Sequence, residues 1–245
     1  MEYFDHTERI RFPEPERANP WGIVAQGGNL SPGIVLSAYE QGIFPWYEES
    51  PIVWFSPDPR FVLYTSEFHV GSRLRRSLRS ADVTVTFDRA FEQVIHRCRT
   101  IRLEADGEGT WITDEMERAY IELHRLGYTH SVEVWRHGSL VGGLYGVTVG
   151  SIFAGESMFS EVSNGSKFAL VGLVGLMDSL EVPLIDCQSY TDNLARFGAV
   201  EIPRSDFLSE LEEYRSGTRI PQSWRAFDGD EMLRRGAALG AGTTP

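Results

Sequence analysis

The sequence predicts an α+β fold with a small N-terminal domain, residues 1–62, and a larger mixed-sheet domain, residues 63–245, that ends in a short mobile tail. Prolines and aromatic residues alternate over residues 43–60, which indicates extended, turn-rich backbone at a domain junction. Apolar residues then recur at helical spacing, and from residue 131 they alternate as in β-strands. A strand–helix–strand pattern over residues 151–188 predicts a crossover connection beside these strands.

The N-terminal domain is predicted to contain a helix near residues 31–42. Ser31 can serve as its N-cap, Pro32 suits its first turn, and Gly42 suits its end. The segment that follows is rich in proline and is therefore predicted to be extended rather than helical.

The larger domain is predicted to begin with helices and to continue with an antiparallel meander. Helical spacing of apolar residues marks three segments, residues 72–78, 90–98 and 113–126. Strand-like alternation marks three more, residues 131–135, 140–147 and 151–154.

The crossover helix and the elements after it follow the meander. Ser163 or Asn164 can cap an apolar helix that runs to Leu180, and a buried strand is expected at residues 183–188. The tail from Gly229 is rich in glycine, alanine and threonine and is expected to be mobile at its end. A helix, a short strand and a second helix are expected before it, at residues 192–197, 200–202 and 206–214.

Composition predicts a globular protein of the cytoplasm. Hydrophobic residues make up 42% of the 245 residues, which is enough for a substantial core. No apolar run approaches the roughly 20 residues that span a bilayer. The charged first residues lack the apolar centre of a signal peptide. We therefore expect cytoplasmic localisation, no membrane partner and, by default, a monomer.

Cysteine and histidine usage gives no sign of a metal centre. Cys98 and Cys187 belong to no CxxC pair, and we expect both to be reduced and mostly buried. The six histidines form no HExxH or HxH arrangement. The sequence therefore predicts neither a metal ion nor a cofactor.

Two short stretches place carboxylates inside apolar, strand-like sequence, GESMFS with Glu156 and LIDCQ with Asp186. Burying an ionised group costs several kcal/mol unless it is paired, so the pattern favours a catalytic cleft. On a regular strand, Asp186 and Gln188 project to one face and Cys187 to the other. Glu156 is expected at the end of its strand or in the loop beyond. The alternative is that these groups only satisfy buried backbone donors.

The chain is acidic overall but contains one cluster of basic residues. The formal net charge of −12 argues against a general nucleic-acid coat protein. Four arginines nevertheless lie close together on a predicted helix, and they could form a solvated helix face or a local phosphate-binding patch. They are Arg73, Arg75, Arg76 and Arg79.

Two other motifs match known chemistry poorly. GESMF begins like the G-x-S-x-G nucleophile elbow of serine hydrolases, but Phe159 replaces the second glycine. GGLYG, at residues 142–146, lies inside the strand meander and matches neither a P-loop nor a dinucleotide fingerprint. Its glycines are expected to permit close backbone approach.

A set of ordered motifs extends over nearly the whole chain. They are GGNLSP at residues 27–32, GIFPW at 42–46, WFSPDPR at 54–60, GTWIT at 109–113, HSVEVW at 130–135, GGLYGV at 142–147, GESMFS at 155–160, SK at 166–167, IDCQ at 185–188 and IPR at 202–204. In this combination the chain resembles the leucyl/phenylalanyl-tRNA–protein transferases.

The resemblance implies an acetyltransferase-like (GNAT) fold for the larger domain and a specific reaction. Leucine or phenylalanine, with methionine as a further candidate, would pass from aminoacyl-tRNA to the α-amine of proteins that begin with arginine or lysine. This modification would mark those proteins for N-degron proteolysis. The reaction is aminolysis of an activated ester, so it requires no metal, cofactor or covalent nucleophile.

The resemblance also implies roles for the polar site residues. Asp186 would polarise the amide of Gln188, and the amide oxygen would orient the attacking amine. A neutral amide is a very weak base, so the proton is expected to reach the leaving ribose oxygen directly or through a neighbouring hydroxyl. Glu156 would bind the positive charge of the acceptor.

The donor would be held by aromatic and apolar residues. Trp46 and Trp111 match positions that flank the terminal adenosine, with core packing as the alternative. Ile185 should lie on the strand face opposite Asp186, so its place in the side-chain pocket requires a twist or bulge. The pocket residues implied are Leu144, Met158, Leu170 and Ile185. The implied contacts to the tRNA acceptor stem are Arg73, Arg75, Arg76 and Arg79.

The chain departs from the family's pattern at one position, and two alternative interpretations of its function are open. The family often has a histidine after the catalytic strand, where this chain has Asn193. An acetyl-CoA-dependent acyltransferase is one alternative, although the segment from Ser160 to Lys167 is a poor pyrophosphate-binding loop. A non-catalytic adaptor for tRNA or peptides is the other.

Overall fold

The computed structural model describes residues 8–47, 49–106, 111–216 and 220–240, and the side chains of all of these except residues 102–106. The ends of the predicted domains, residues 1–7 and 241–245, lie outside this part of the chain. Among the described residues, no helix is long and apolar enough to cross a membrane.

A small antiparallel sheet is built near the N-terminus. Its strands are β1 (Ile23–Gln26), β2 (Phe44–Pro45) and β3 (Val53–Phe55), in the order β1-β3-β2. Helix α1 (Pro32–Tyr39) connects β1 to β2, as predicted from Ser31 and Pro32. Strand β1 was not predicted, because its apolar run is too short to show alternation.

The second sheet among the described residues is mixed and has seven strands, in the order β10-β4-β9-β8-β7-β6-β5. Among the described strands, only β8 and β9 pair in parallel, and the crossover that joins them confirms the predicted strand–helix–strand unit. Its strands are β4 (Arg60–Tyr64), β5 (Thr84–Phe87), β6 (Thr129–Arg136), β7 (Ser139–Val149), β8 (Ile152–Ser160), β9 (Leu184–Gln188) and β10 (Val200–Ile202). The α+β class with a mixed sheet is therefore confirmed, and the predicted boundary at residue 62 falls inside β4.

Seven α-helices accompany the large sheet in the part of the chain that the structure describes. They are α2 (Ser72–Ser80), α3 (Phe91–Asp106), α4 (Asp114–Arg125), α5 (Gly165–Ser179), α6 (Asp192–Ala195), α7 (Arg204–Arg215) and α8 (Gly229–Ala238). Helix α5 packs on one side of the sheet, and α3 packs on the other. The two sides carry separate apolar clusters.

Helix α8 occupies most of the tail that begins at Gly229, and the end of that tail, which was expected to be mobile, lies outside the described residues. Asp228 caps this helix by accepting hydrogen bonds from the backbone N–H groups of Asp230 and Glu231. The helix packs against α5 at backbone distance, since a Cβ atom on Gly175 would lie 1.9 Å from the carbonyl oxygen of Met232. Gly236 of α8 likewise lies against the backbone of α5, so the glycines of this segment permit close helix packing.

The parallel pairing of β8 and β9 is short. It runs from Ile152 opposite Leu184 to Ala154 opposite Asp186, and ends there. Beyond this point β8 remains paired with β7, and β9 remains paired with β4. The two central strands therefore separate in the middle of the sheet.

Candidate active site

A cavity of about 440 Å³ lies where β8 and β9 separate. Its wall includes Leu170 and Ile185 from the apolar cluster under α5, and Phe44 and Tyr145 from the cluster on the opposite side. Because both clusters contribute, the cavity passes from one side of the sheet to the other.

Glu156 lies at a bulge beside this cavity. Tyr145 pairs with Ser157 and Gly146 pairs with Gly155, so Glu156 is the extra residue of β8. A bulge re-aims side chains, and here it turns the carboxylate towards α1 and α4. The sequence predicted Glu156 at the end of its strand or in the loop beyond, whereas it lies inside β8.

The carboxyl group of Glu156 accepts hydrogen bonds from three other elements. Tyr39 of α1 and Gln188 of β9 both donate to Oε1 at 2.6 Å, through a hydroxyl and through Nε2. Tyr120 of α4 donates to Oε2 at 3.3 Å. The two tyrosine hydroxyls lie 2.5 Å apart.

Burial raises the pKa of Glu156 to about 7, and the negative charge of Asp186 acts in the same direction. The hydrogen bonds from Tyr39, Gln188 and Tyr120 act in the opposite direction, because they stabilise the carboxylate. Burial also raises the pKa of both tyrosines well above the usual value, so their hydroxyls keep their protons. Glu156 is therefore the group whose charge changes near neutral pH.

Asp186 forms a buried ion pair with Arg60 of β4. Nε and Nη2 of Arg60 donate to the two carboxylate oxygens at 2.8 and 2.6 Å, and both side chains are at most 3% exposed. The guanidinium also donates to the carbonyl oxygen of Gly42 at 3.1 Å. It lies over the rings of Phe44 and Phe207. Asp186 is thus held firmly by a partner that is itself fixed.

The expected arrangement of Asp186 and Gln188 on one strand face does not occur. Ile185 and Cys187 line the cavity, whereas Asp186 lies on the opposite side with Arg60. Gln188 also lines the cavity, because its φ of 64° breaks the alternation of β9. Asp186 accepts a hydrogen bond from the backbone N–H of Gln188 at 2.9 Å, while the side-chain amide bonds to Glu156. Ile185 therefore needs no distortion to reach the cavity.

The other residues that were predicted to bind the aminoacyl donor also line this cavity. Leu144, Met158 and Leu170 belong to its apolar wall, together with Phe153 and Leu173. Trp46, with 47% of its surface exposed, and Trp111, partly buried, contribute aromatic surface. Asn193 lies in the wall as well, with Nδ2 3.9 Å from the Met158 sulfur. Gly109 and Thr110, which precede Trp111 in the GTWIT motif, lie outside the described residues.

The four arginines of α2 divide into two kinds. Arg73, Arg76 and Arg79 are exposed and, among the described residues, form no ion pair. Arg75 is partly buried, and it donates to the backbone carbonyls of Ala237 and Leu239 at the end of α8. Arg75 therefore also ties α2 to α8.

The family model of the leucyl/phenylalanyl-tRNA protein transferase matches residues 62–212, and its N-terminal domain model matches residues 28–58. The chain belongs to this family. A leucyl/phenylalanyl-tRNA–protein transferase of Anaeromyxobacter sp. (strain Fw109-5) is 48% identical over 94% of this chain and 98% of that protein. One of Oleidesulfovibrio alaskensis is 45% identical over 96% and 97%. These matches confirm the resemblance and the aminoacyltransferase class that it implied.

Solved structures give weaker similarity. A GCN5-related N-acetyltransferase from Kribbella flavida is 13% identical, with a TM-score of 0.31 over 69% of this chain and 60% of that one. A functionally unknown conserved protein from Staphylococcus epidermidis is 10% identical, with a TM-score of 0.40 over 58% and 56%.

Sequence reasoning missed three residues of this candidate site. Tyr39 and Tyr120 occupy apolar positions of their helices, which predicts a place in the core, and their rings indeed lie there. A buried tyrosine hydroxyl needs a partner, which was the available signal. Arg60 begins an otherwise apolar strand, and a charge in that position indicates a buried ion pair.

Proposed function

We propose that this transferase moves leucine or phenylalanine, with methionine as a further candidate donor, from aminoacyl-tRNA to the α-amine of proteins that begin with arginine or lysine. N-degron proteolysis would then follow. The observation that carries this proposal is the cavity through the sheet, because it joins an apolar pocket to a polar cluster around Glu156 and Gln188.

The apolar end of the cavity suits the side chain of the donor. Leu144, Met158, Leu170 and Ile185 present no charged group to it. Leucine and methionine side chains adapt to more than one shape, which fits a pocket for both leucine and phenylalanine. Trp46 and Trp111 would flank the terminal adenosine at the other end, since stacking on aromatic rings holds a single-stranded end without base specificity.

The reaction requires alignment more than activation. The nitrogen of the acceptor's α-amine attacks the ester carbonyl carbon, and the bond from that carbon to the ribose oxygen breaks. The proton lost by the amine ends on the ribose oxygen. Nε2 of Gln188 is committed to Glu156, so its Oε1 is the atom left to accept a hydrogen bond from the amine. This orients the nucleophile without deprotonating it.

Asp186 acts on this step through Gln188. Its carboxylate holds the backbone N–H of Gln188 at 2.9 Å, and Arg60 fixes the carboxylate in turn. This chain of contacts maintains the unusual backbone of Gln188, whose φ is 64°. Asp186 is therefore a positioning residue in this mechanism, and it does not serve as a base.

The acceptor's positive charge is matched by the carboxylate of Glu156. An ionised carboxylate beside Gln188 favours a cationic first residue over a neutral one. The formal net charge of −12 adds a long-range attraction for cationic N-termini.

The proposed function is tested by incubating the purified protein with radiolabelled Leu-tRNA and one of two peptides that differ only in an N-terminal arginine or alanine. We expect label in the arginine peptide and little in the alanine peptide. Absence of transfer from intact Leu-tRNA, in an assay where a known transferase is active, would contradict the proposal and favour a non-catalytic adaptor.

Arg76 and Arg79 of α2 are expected to contribute to tRNA binding through phosphates. Replacing both with glutamine should weaken donor binding and make it less dependent on salt, by roughly 0.7–0.9 in the log–log slope for each phosphate that is no longer neutralised. Donor titrations at several salt concentrations measure this. A variant with Arg89 and Arg136 replaced by glutamine has the same net charge and removes exposed arginines elsewhere. An equal effect in both variants would argue against a specific patch.

A further inference from the structure

We propose that Trp224 is a specificity-determining residue for the donor, because it fixes the depth of the side-chain pocket from behind Phe153. This inference rests on the proposed function of the apolar end of the cavity. Trp224 belongs to the C-terminal segment, residues 220–240, which lies outside the residues matched by the family model.

Phe153 is confined on two sides. It is fully buried and lines the cavity from β8. Its ring lies against β7 so closely that a Cβ atom on Gly146 would be 2.4 Å from Cζ of Phe153. The indole ring of Trp224 lies on another side, with the ring centroids 5.7 Å apart. Phe153 can therefore move away from the cavity only if Trp224 yields.

Trp224 itself has little freedom. It is 0% exposed, and its ring stacks on His130 at 4.0 Å with an interplanar angle of 5°. Its backbone N–H donates to Oδ2 of Asp88 at 2.8 Å, and its indole N–H donates to the carbonyl oxygen of Pro221. The same Asp88 oxygen lies 2.8 Å from Nδ1 of His130. Trp224 is thus held by contacts of its ring face, its indole N–H and its backbone N–H.

The same segment also packs behind a second part of the pocket wall. Leu170 and Leu173 project into the cavity from α5, and α8 packs directly behind that helix. A Cβ atom on Gly236 of α8 would lie 2.0 Å from the carbonyl oxygen of Val171. Since α5 is backed by α8 and Phe153 by Trp224, the C-terminal segment supports two parts of the pocket wall.

Pocket depth bears directly on the choice between leucine and phenylalanine. Replacing Trp224 with leucine removes ring atoms behind Phe153, so the phenyl ring can retreat and the pocket deepens. A deeper pocket accommodates the longer phenylalanine side chain better and leaves leucine with fewer contacts. Because one methylene in an apolar pocket changes selectivity roughly 10- to 200-fold, a partial change in depth should shift the phenylalanine-to-leucine ratio roughly tenfold.

The test compares donors that differ only in the amino acid. One tRNA species is charged with leucine or with phenylalanine, and kcat/KM is measured for each with the arginine peptide. We expect the phenylalanine-to-leucine ratio to rise roughly tenfold in Trp224→Leu and less in Trp224→Phe. Phe68→Leu is the matched control, since Phe68 is a buried aromatic of the same apolar cluster, stacked on Phe197 and away from the cavity wall. Its ratio should stay at the parent value.

The ratio is independent of the folded fraction, because both donors meet the same enzyme preparation. An unchanged ratio in Trp224→Leu, together with a changed ratio in Phe153→Leu, would overturn the role of Trp224 and leave the proposed function intact. Unchanged ratios in both variants would contradict the assignment of the pocket itself. Should Trp224→Leu fail to fold, Trp224→Phe decides the question in the same way.

Discussion

Replacing Asp186 with alanine is expected to lower the free energy of unfolding by about 3–5 kcal/mol, because it leaves the guanidinium of Arg60 buried without its partner. Arg60 is only 1% exposed, so water cannot replace the lost carboxylate. Transfer should fall below detection in the same variant, since the backbone of Gln188 loses its hydrogen-bond acceptor. Urea unfolding measures the first effect, and initial rates of transfer measure the second.

A double variant, Arg60→Met with Asp186→Leu, separates stability from catalysis. Apolar residues of similar size can replace a buried ion pair at little cost, so most of the lost stability should return. Transfer should not return, because neither new side chain can accept the hydrogen bond from Gln188. Recovery of transfer with the double variant would show that Asp186 is needed only to neutralise Arg60.

Glu156 is expected to make acceptor selectivity depend on pH. Its pKa is raised to about 7, so the carboxylate forms as the pH rises through neutrality, and preference for the arginine peptide over the alanine peptide should rise with it. Glu156→Gln should remove this pH dependence and lower the preference roughly 10- to 100-fold, the value of a hydrogen bond to a charged group. The selectivity ratio between pH 6 and 8 measures both effects. The alanine peptide controls for titration of the acceptor's α-amine, whose pKa is about 8.

The raised pKa of Glu156 also predicts that the stability of the folded protein depends on pH. The pKa of Glu156 in the folded protein lies above its usual value of 4.5, so the folded state holds the proton more tightly than the unfolded chain does. This contribution to stability is present below pH 4.5 and is lost as the pH rises through about 7.

For acceptor selectivity, a preference for the arginine peptide that depends on pH equally in Glu156→Gln and in the parent would assign the titration to another group.

Local pattern was sufficient for most elements of the fold. The apolar spacing around Met116 and Tyr120 predicted α4, and the alternation from Ser131 predicted the meander. Part of the cavity wall could also be predicted from the sequence, because the ordered motifs include Trp46, Leu144 and Met158. Strand β5 was not predicted, since Thr84–Phe87 is too short for alternation to stand out.

The details of the site depend on contacts between distant residues. The bulge at Glu156 follows from the register of β8 on β7, and the sequence of β8 alone does not encode it. The positive φ of Gln188 and the pairing of Arg60 with Asp186 likewise depend on how β9 meets β4. Regular strand alternation predicted that Asp186 and Gln188 share one face. In the structure, Ile185 and Cys187 line the cavity with Gln188, and Asp186 does not.

The three hydrogen-bond donors to Glu156 are far from it in sequence, and this affects when the cluster can form. They come from residues 117, 36 and 32 positions away along the chain. A polypeptide is made from its N-terminus, so Tyr39 and Tyr120 emerge before the carboxylate they serve, and Gln188 emerges after it. During synthesis, a chain that has not yet reached Gln188 therefore contains the other members of this cluster without their full set of hydrogen bonds. The hydrogen-bonded cluster around Glu156 is complete only when β9, which carries Gln188, has joined the sheet.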